Sequence, residues 1–222
     1  MSVHAGSREI TDGLILMLDA SNPKSYPGTG NTWFDISGNN NHFTIEGNIN
    51  WNIKTGFSNF NGNSLGTGNK ISRAGFPTNL KTSQGGTGYT VMVLCNSTSS
   101  AGWRKMIGNL DAENYIDLYQ GSGAPYAFYT ESAGSLFYNS GIPTGFNTLV
   151  ISDSVYRLCI ETNLNSGGLV NPAGALSIGN EPGTGNNYPW IGNIITVLMY
   201  NRVLTTTEMA VNFNALRSRF GL

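Results

Sequence analysis

The chain has 222 residues, of which 39% are hydrophobic, 11% aromatic and 11% charged, and its formal net charge is −1 at pH 7. Aromatic residues are spread along the whole length, which argues against a disordered chain. The 12 basic residues are scattered, so neither a nucleic-acid surface nor a surface for anionic membranes is expected. Low charge with 29 glycines and many Asn, Ser and Thr residues is typical of short strands joined by turns. We therefore predict one all-β domain.

The N-terminal residues are predicted to form a polar arm over 1–12, followed by the sandwich domain over 13–222. The arm lacks the hydrophobic segment of a signal peptide, so we expect synthesis in a cytoplasm without an export signal. The first strand is predicted over 13–19, where apolar residues fill both alternating faces, as in a strand covered on both sides. Residues 20–41 are rich in turn formers and carry Trp33 and Phe34.

Further strands are expected wherever short apolar runs lie between turn clusters, at the spacing of a sandwich. Asp153 and Ser154 are predicted to form a two-residue turn between the strands before and after them. The predicted strands are 42–46, 57–61, 70–73, 89–95, 103–108, 114–119, 125–130, 135–138, 147–152, 155–161, 174–178 and 191–200.

One helix is predicted over 206–219, with Thr205 and Glu208 forming a capping box. Its apolar stripe consists of Met209, Phe213, Leu216 and Phe220, while Asn212, Asn214, Arg217 and Arg219 are assigned to its other faces.

The two cysteines, Cys95 and Cys159, each lie inside an apolar predicted strand. Two buried free thiols are the favoured interpretation. A disulfide is the alternative if strands 88–95 and 155–161 are neighbours.

Both ends of the chain resemble one family. Residues 12–41 contain Gly-Leu-Ile-Leu-Met-Leu-Asp-Ala and Trp-Phe-Asp-Ile-Ser-Gly-Asn, similar to the opening of concanavalin A-like (laminin G-like) domains. Residues 191–208 resemble the ending of these domains, and residues 212–222 resemble the variant common in tailed-phage virion proteins. Between the ends, residues 159–167 depart from the Tyr-Val-Asn-Gly hairpin of many relatives. The resemblance implies a jelly-roll sandwich of two antiparallel sheets, on which binding modules, enzymes and structural proteins are all built.

The carboxylate motif of the glucanases with this fold is missing from the sequence. Glucanases of this fold use a Glu-x-Asp-x-x-Glu strand, because alternation places both carboxylates on one face. The nearest cluster is Asp111, Glu113 and Asp117, but this segment begins as a turn and no third carboxylate stands at the offset that the motif requires. A serine triad would have to use His42, since His4 lies in the arm. We therefore expect a protein that is not an enzyme.

Two candidate sites remain. A carbohydrate site is predicted on loops that pair an aromatic ring with amides, with Asn186, Asn187, Tyr188, Trp190 and Trp103 as the candidates; Trp190 has a core position as its alternative. No cofactor is expected except Ca²⁺ as an option, because relatives of this fold often bind it at the rim. Its candidate ligands are Asp111, Glu113 and Asn114.

Three functions follow from this reading. The first is a virion structural protein, either capsid decoration or tail-associated, whose partners are other virion proteins, further copies of itself and a host glycan. The second is a stand-alone carbohydrate-binding lectin, and the third and least favoured is a glycoside hydrolase.

Overall fold

The structure is a computed structural model. It describes residues 8–60, 68–75, 77, 88–98, 104–109, 117–120, 127–130, 135–138, 146–152, 157–163, 175–180 and 188–217.

The strands form two antiparallel sheets, which confirms the prediction of an all-β sandwich with one short C-terminal helix. The first sheet has the order β12-β13-β7-β15-β5-β4, with β1 also paired to β15, and the second has the order β11-β10-β9-β8-β14-β6-β3-β2. The elements are β1 Leu14–Asp19, β2 Thr32–Trp33, β3 Phe43–Glu46, β4 Asn50–Asn52, β5 Gly56–Ser58, β6 Lys70–Arg73, β7 Tyr89–Ser97, β8 Arg104–Asn109, β9 Asp117–Gln120, β10 Ala127–Thr130, β11 Ser135–Tyr138, β12 Phe146–Ser152, β13 Arg157–Asn163, β14 Leu176–Ile178, β15 Gly192–Tyr200 and α1 Thr206–Arg217.

Both faces of the first sheet are apolar because both are covered. Val91, Val93 and Cys95 of β7 face the core between the sheets. The alternate residues Met92 and Leu94 face a second cluster, which α1 closes. The strand prediction for 13–19, with both faces covered, agrees with the buried residues of β1.

Helix α1 covers the outer face of the first sheet with Met209, Phe213 and Leu216, each less than 8% exposed. Burying side chains of this size stabilises the fold by about 1.5–3 kcal/mol each. Phe220 and Arg219 lie outside the described residues.

The predicted capping box begins the helix. The Glu208 carboxylate accepts a hydrogen bond from the Thr205 backbone N–H at 2.8 Å, and the Glu208 backbone N–H donates to the Thr205 hydroxyl. Arg202 donates two further hydrogen bonds to the same carboxylate, at 2.7 and 3.1 Å. The pKa of Glu208 is lowered to about 2. The hydrogen bonds from the Arg202 guanidinium are the main cause, and the hydrogen bond from the Thr205 backbone is the second.

The position predicted for Asn212 is wrong. It is fully buried rather than on a polar face of the helix, and its side chain joins the helix to the N-terminal segment. Its Oδ1 accepts from the Ile10 N–H at 2.8 Å, while its Nδ2 donates to the Tyr200 hydroxyl at 3.0 Å. The Tyr200 hydroxyl donates in turn to the Ile10 carbonyl at 2.9 Å. A buried amide is tolerated here because both its oxygen and its nitrogen have hydrogen-bonding partners. Burial also raises the pKa of Tyr200.

The Trp-x-Asp-x-Ser-Gly-Asn segment binds the following loop to β1. The buried carboxylate of Asp35 accepts hydrogen bonds from the backbone N–H groups of Met17, Ser37 and Asn41, each at 2.9 Å, and from the Ser37 hydroxyl. Trp33 is fully buried against Phe57, with ring centroids 4.7 Å apart. The motif is therefore structural.

Two other sequence predictions differ from the structure. Strands β12 and β13 pair from Phe146↔Asn163 to Ser152↔Arg157, whereas the predicted turn would place Ser152 opposite Val155. The predicted turn residues themselves, Asp153 and Ser154, lie outside the described residues. Strands β2 and β4 lie outside the predicted strands. Strand β2 has only two residues, and the Asn-Trp-Asn of β4 carries little strand signal.

The two cysteines lie on neighbouring strands but are not opposite each other. Cys95 pairs with Arg157, and Cys159 pairs with Val93 two positions along. Cys95 is a buried free thiol, 3.6 Å from the Met106 sulfur. For Cys95 the free-thiol interpretation is therefore correct.

Candidate ligand-binding site

An open depression of about 310 Å³ lies at one end of the first sheet, on its outer face. This rim depression lies where β7 ends, β15 begins, β5 ends and β4 begins, because these antiparallel neighbours bring those ends together. It is lined by Asn50, Ser58, Asn59, Thr98, Trp190, Ile191, Gly192 and Asn193. Its volume is at the lower end of the range for small-molecule sites.

The register explains why polar side chains meet there. Phe57 and Ile194 are paired and both face the core, so Ser58 and Asn193, one step along each strand, face outward. Asn50 is the partner of Ser58 and shares its face. Three strands thus contribute a row of uncharged polar groups.

The amide of Asn193 is held in one orientation. Asn96, its register partner on β7, accepts two hydrogen bonds at Oδ1: one from the Asn193 backbone N–H at 2.8 Å and one from Asn193 Nδ2 at 3.0 Å. The amide nitrogen of Asn193 is therefore engaged. Its Oδ1 accepts no hydrogen bond from the residues that the structure describes and remains available to a ligand.

Other polar groups in the depression are open to a ligand. Asn50 is exposed and Ser58 is half-buried, and neither side chain makes a hydrogen bond within the described part of the chain. Thr98 is exposed, with a weak 3.4 Å bond from its hydroxyl to the Ile191 carbonyl. None of the eight lining residues is charged.

Trp190 contributes packing rather than a stacking surface. It is 1% exposed, which corresponds to the core alternative for this residue, and its face is not available to a sugar ring. Its indole N–H donates inward to the carbonyls of Asn96 and Asn193, at 3.0 and 3.3 Å. The ring thus supports β7 and β15, two of the strands whose ends form the depression.

Tyr188 is half-buried and lies two residues before Trp190, and its carbonyl accepts a hydrogen bond from the Lys105 N–H at 2.8 Å. It is not one of the lining residues. The other predicted sugar-binding residues, Asn186, Asn187 and Trp103, lie outside the described residues, as do the predicted calcium ligands Asp111, Glu113 and Asn114.

No group of three or more His, Cys, Asp or Glu side chains that could hold a metal ion occurs among the residues that the structure covers. In the same part of the chain, no helix has the length and hydropathy needed to cross a membrane.

Comparison with solved structures supports the fold. The sialidase of Trypanosoma rangeli in complex with sialic acid matches with a TM-score of 0.60 at 14% identity, over 93% of this chain and 33% of its own. The binding domain of botulinum neurotoxin DC in complex with SialylT matches with a TM-score of 0.56 at 15% identity, over 93% of this chain and 52% of its own.

A single domain matches over nearly its whole length. Domain 4 of AbnA, a GH43 extracellular arabinanase from Geobacillus stearothermophilus, in complex with arabinotriose, has a TM-score of 0.54 at 17% identity. The match covers 91% of this chain and 98% of that domain. No known family profile and no curated protein sequence matches the chain. At these identities the likeness shows the fold, consistent with a concanavalin A-like sandwich.

Proposed function

We propose that the chain is a carbohydrate-binding β-sandwich and that the rim depression is its sugar site. The observation that carries this proposal is the row of uncharged amide and hydroxyl groups on adjacent strands, with Asn50, Ser58 and Asn193 Oδ1 free to bond. Sugar hydroxyls both donate and accept, so they complement a mixed set of amides and hydroxyls.

The similar structures support the same proposal. The sialidase is described with sialic acid and the arabinanase domain with arabinotriose. The arabinanase domain is the most relevant of these, since almost its entire length corresponds to this chain.

We propose binding without hydrolysis. Among the residues that the structure describes, the depression is lined by amides, hydroxyls and apolar groups. Glycoside hydrolysis usually needs two carboxyl groups across the scissile bond. Release of reducing sugar from glycans incubated with the purified protein would contradict this part of the proposal.

The sugar site is tested by filling the depression without changing its charge. Ser58→Gln places a longer amide in the depression and should abolish glycan binding measured on an array and by calorimetry. Thr44→Gln is the matched control, because Thr44 is an exposed hydroxyl residue on a strand of the second sheet. Equal glycan binding by Ser58→Gln and the wild type would refute the assignment.

We also propose that the binding module serves as a virion subunit, either capsid decoration or tail-associated. The resemblance of residues 212–222 to tailed-phage virion proteins supports this role, and its partners would be virion proteins and further copies of the chain. Size-exclusion chromatography with light scattering, with and without a chelator, tests it. A defined, chelator-insensitive oligomer is expected; a monomer that responds to calcium removal would favour the stand-alone lectin.

A further inference from the structure

The hydrogen-bonding groups of the rim depression also indicate the class of its ligand. Resting on the proposed carbohydrate-binding function, we propose that the depression selects uncharged glycans, with Asn193 Oδ1 accepting a sugar hydroxyl and Asn96 as the residue that positions it.

The orientation of the Asn193 amide is set by the backbone. The Asn193 backbone N–H donates to Asn96 Oδ1, so that end of the Asn96 side chain must be the oxygen. The same oxygen accepts from Asn193 Nδ2, so the free end of the Asn193 amide must also be an oxygen. The depression therefore presents a fixed acceptor.

A fixed acceptor discriminates between ligands by charge. A sugar hydroxyl can donate to Asn193 Oδ1, whereas an ionised carboxylate has only acceptor oxygens and would face it with lone pairs on both sides. Asn193 is half-buried, so a ligand that sets an acceptor against its Oδ1 loses one hydrogen bond at this position.

Charge in the lining leads to the same conclusion. A carboxylate-binding site usually supplies an arginine or lysine, and none of the described residues that line the depression is charged. The other free groups, Asn50 and the Ser58 hydroxyl, can each donate and accept, which suits adjacent hydroxyls of a neutral sugar.

The first test is an array that prints each neutral glycan beside its sialylated and its uronic-acid counterpart, probed at about 50 and 500 mM NaCl. Neutral glycans should bind at least about tenfold more tightly than their acidic counterparts, with little change between the two salt concentrations. Preferred, salt-sensitive binding of the acidic counterparts would overturn the selectivity but leave carbohydrate binding in place. Absence of binding to every glycan would overturn both proposals.

The second test uses the positioning residue. Asn96→Asp keeps the acceptor for both Asn193 donors, so its affinity for neutral glycans should stay near that of the wild type. Asn96→Ala frees the Asn193 amide to rotate and present its nitrogen, and the preference for neutral over acidic glycans should fall about tenfold. An unchanged preference in Asn96→Ala, with a melting temperature near that of the wild type, would refute the positioning role.

A third variant keeps the proposal testable if Asn96→Ala does not fold. Asn193→Ala removes the acceptor itself and should weaken neutral-glycan binding about five- to tenfold, as expected for one lost neutral hydrogen bond. Unchanged affinity in this variant would overturn the assignment of Asn193 Oδ1.

Discussion

Replacing Asp35 by asparagine tests the structural role of the opening motif. In the wild type, each carboxylate oxygen of Asp35 accepts two hydrogen bonds, and three of the four donors are backbone N–H groups. Asparagine retains one oxygen and replaces the other by an NH₂ group. If the retained oxygen faces Met17 and Ser37, the new NH₂ group faces the Asn41 N–H, and two donors oppose each other in a buried position.

The expected loss follows from these contacts. A hydrogen bond to a charged acceptor contributes about 1.5–3 kcal/mol, and a buried donor left without a partner costs about 1–3 kcal/mol. The two effects overlap, so Asp35→Asn should lower the free energy of unfolding by about 2–4 kcal/mol. This is a large share of the about 5–15 kcal/mol that holds a domain folded.

Urea denaturation followed by tryptophan fluorescence measures this loss. The midpoint should fall by about 1 M or more, with the slope unchanged. Asp12→Asn is the matched control, because the Asp12 side chain is 84% exposed and its ion pair with Arg202 should contribute no more than about 1 kcal/mol. A midpoint for Asp35→Asn within the error of the wild type, or an equal loss in both variants, would refute the reasoning.

Two further predictions concern the helix and its attachment. Because the pKa of Glu208 is lowered in the folded state, its contribution is present above about pH 4.5 and is lost as the pH falls towards about 2. Glu208→Gln should therefore destabilise the protein by about 1 kcal/mol at pH 7 but hardly at pH 2, and an equal loss at both values would contradict the ion pair with Arg202. Tyr200→Phe leaves the buried amide of Asn212 and the Ile10 carbonyl without their hydroxyl partner and should cost about 1–3 kcal/mol in thermal unfolding. An unchanged melting temperature in Tyr200→Phe would mean that water replaces the hydroxyl.

Local sequence signals predicted those elements that local interactions determine. Thr205 and Glu208 predict the start of the helix, because the hydrogen bonds of the capping box form within one turn. The strand runs in β1, β7 and β15 are long and apolar enough to be read directly, since each is covered on both faces.

The failures have a common physical cause. Asn212 looks like a surface residue on a helical wheel, because its partners Ile10 and Tyr200 are distant in sequence. The sequence does not predict strand β4, because its three residues are held in a strand by pairing with β5 rather than by their own propensity. In each case tertiary contacts outweigh local propensity.

The rim depression could be predicted only in part. The segment before β15 was identified from its asparagines and aromatic residues, and Trp190 does line the depression. Asn50, Ser58 and Asn193 come from three strands, and only the register brings them to one face. The signal that the sequence offers is a polar residue at an alternate position at the end of each strand, which becomes informative once the pairing is known.

The central position of β15 has a consequence for how the chain is made. It pairs with β7 along one edge and with β5 and β1 along the other, and it is the last strand that the structure describes. During synthesis, β1, β5 and β7 therefore emerge long before β15, the strand that joins them. Their apolar faces remain uncovered until β15 pairs with them. Contacts between residues so far apart in sequence form slowly, and an incomplete chain with open strand edges is prone to aggregate. The emergence of β15, rather than the early appearance of the N-terminal strands, should therefore set the moment at which the sandwich closes.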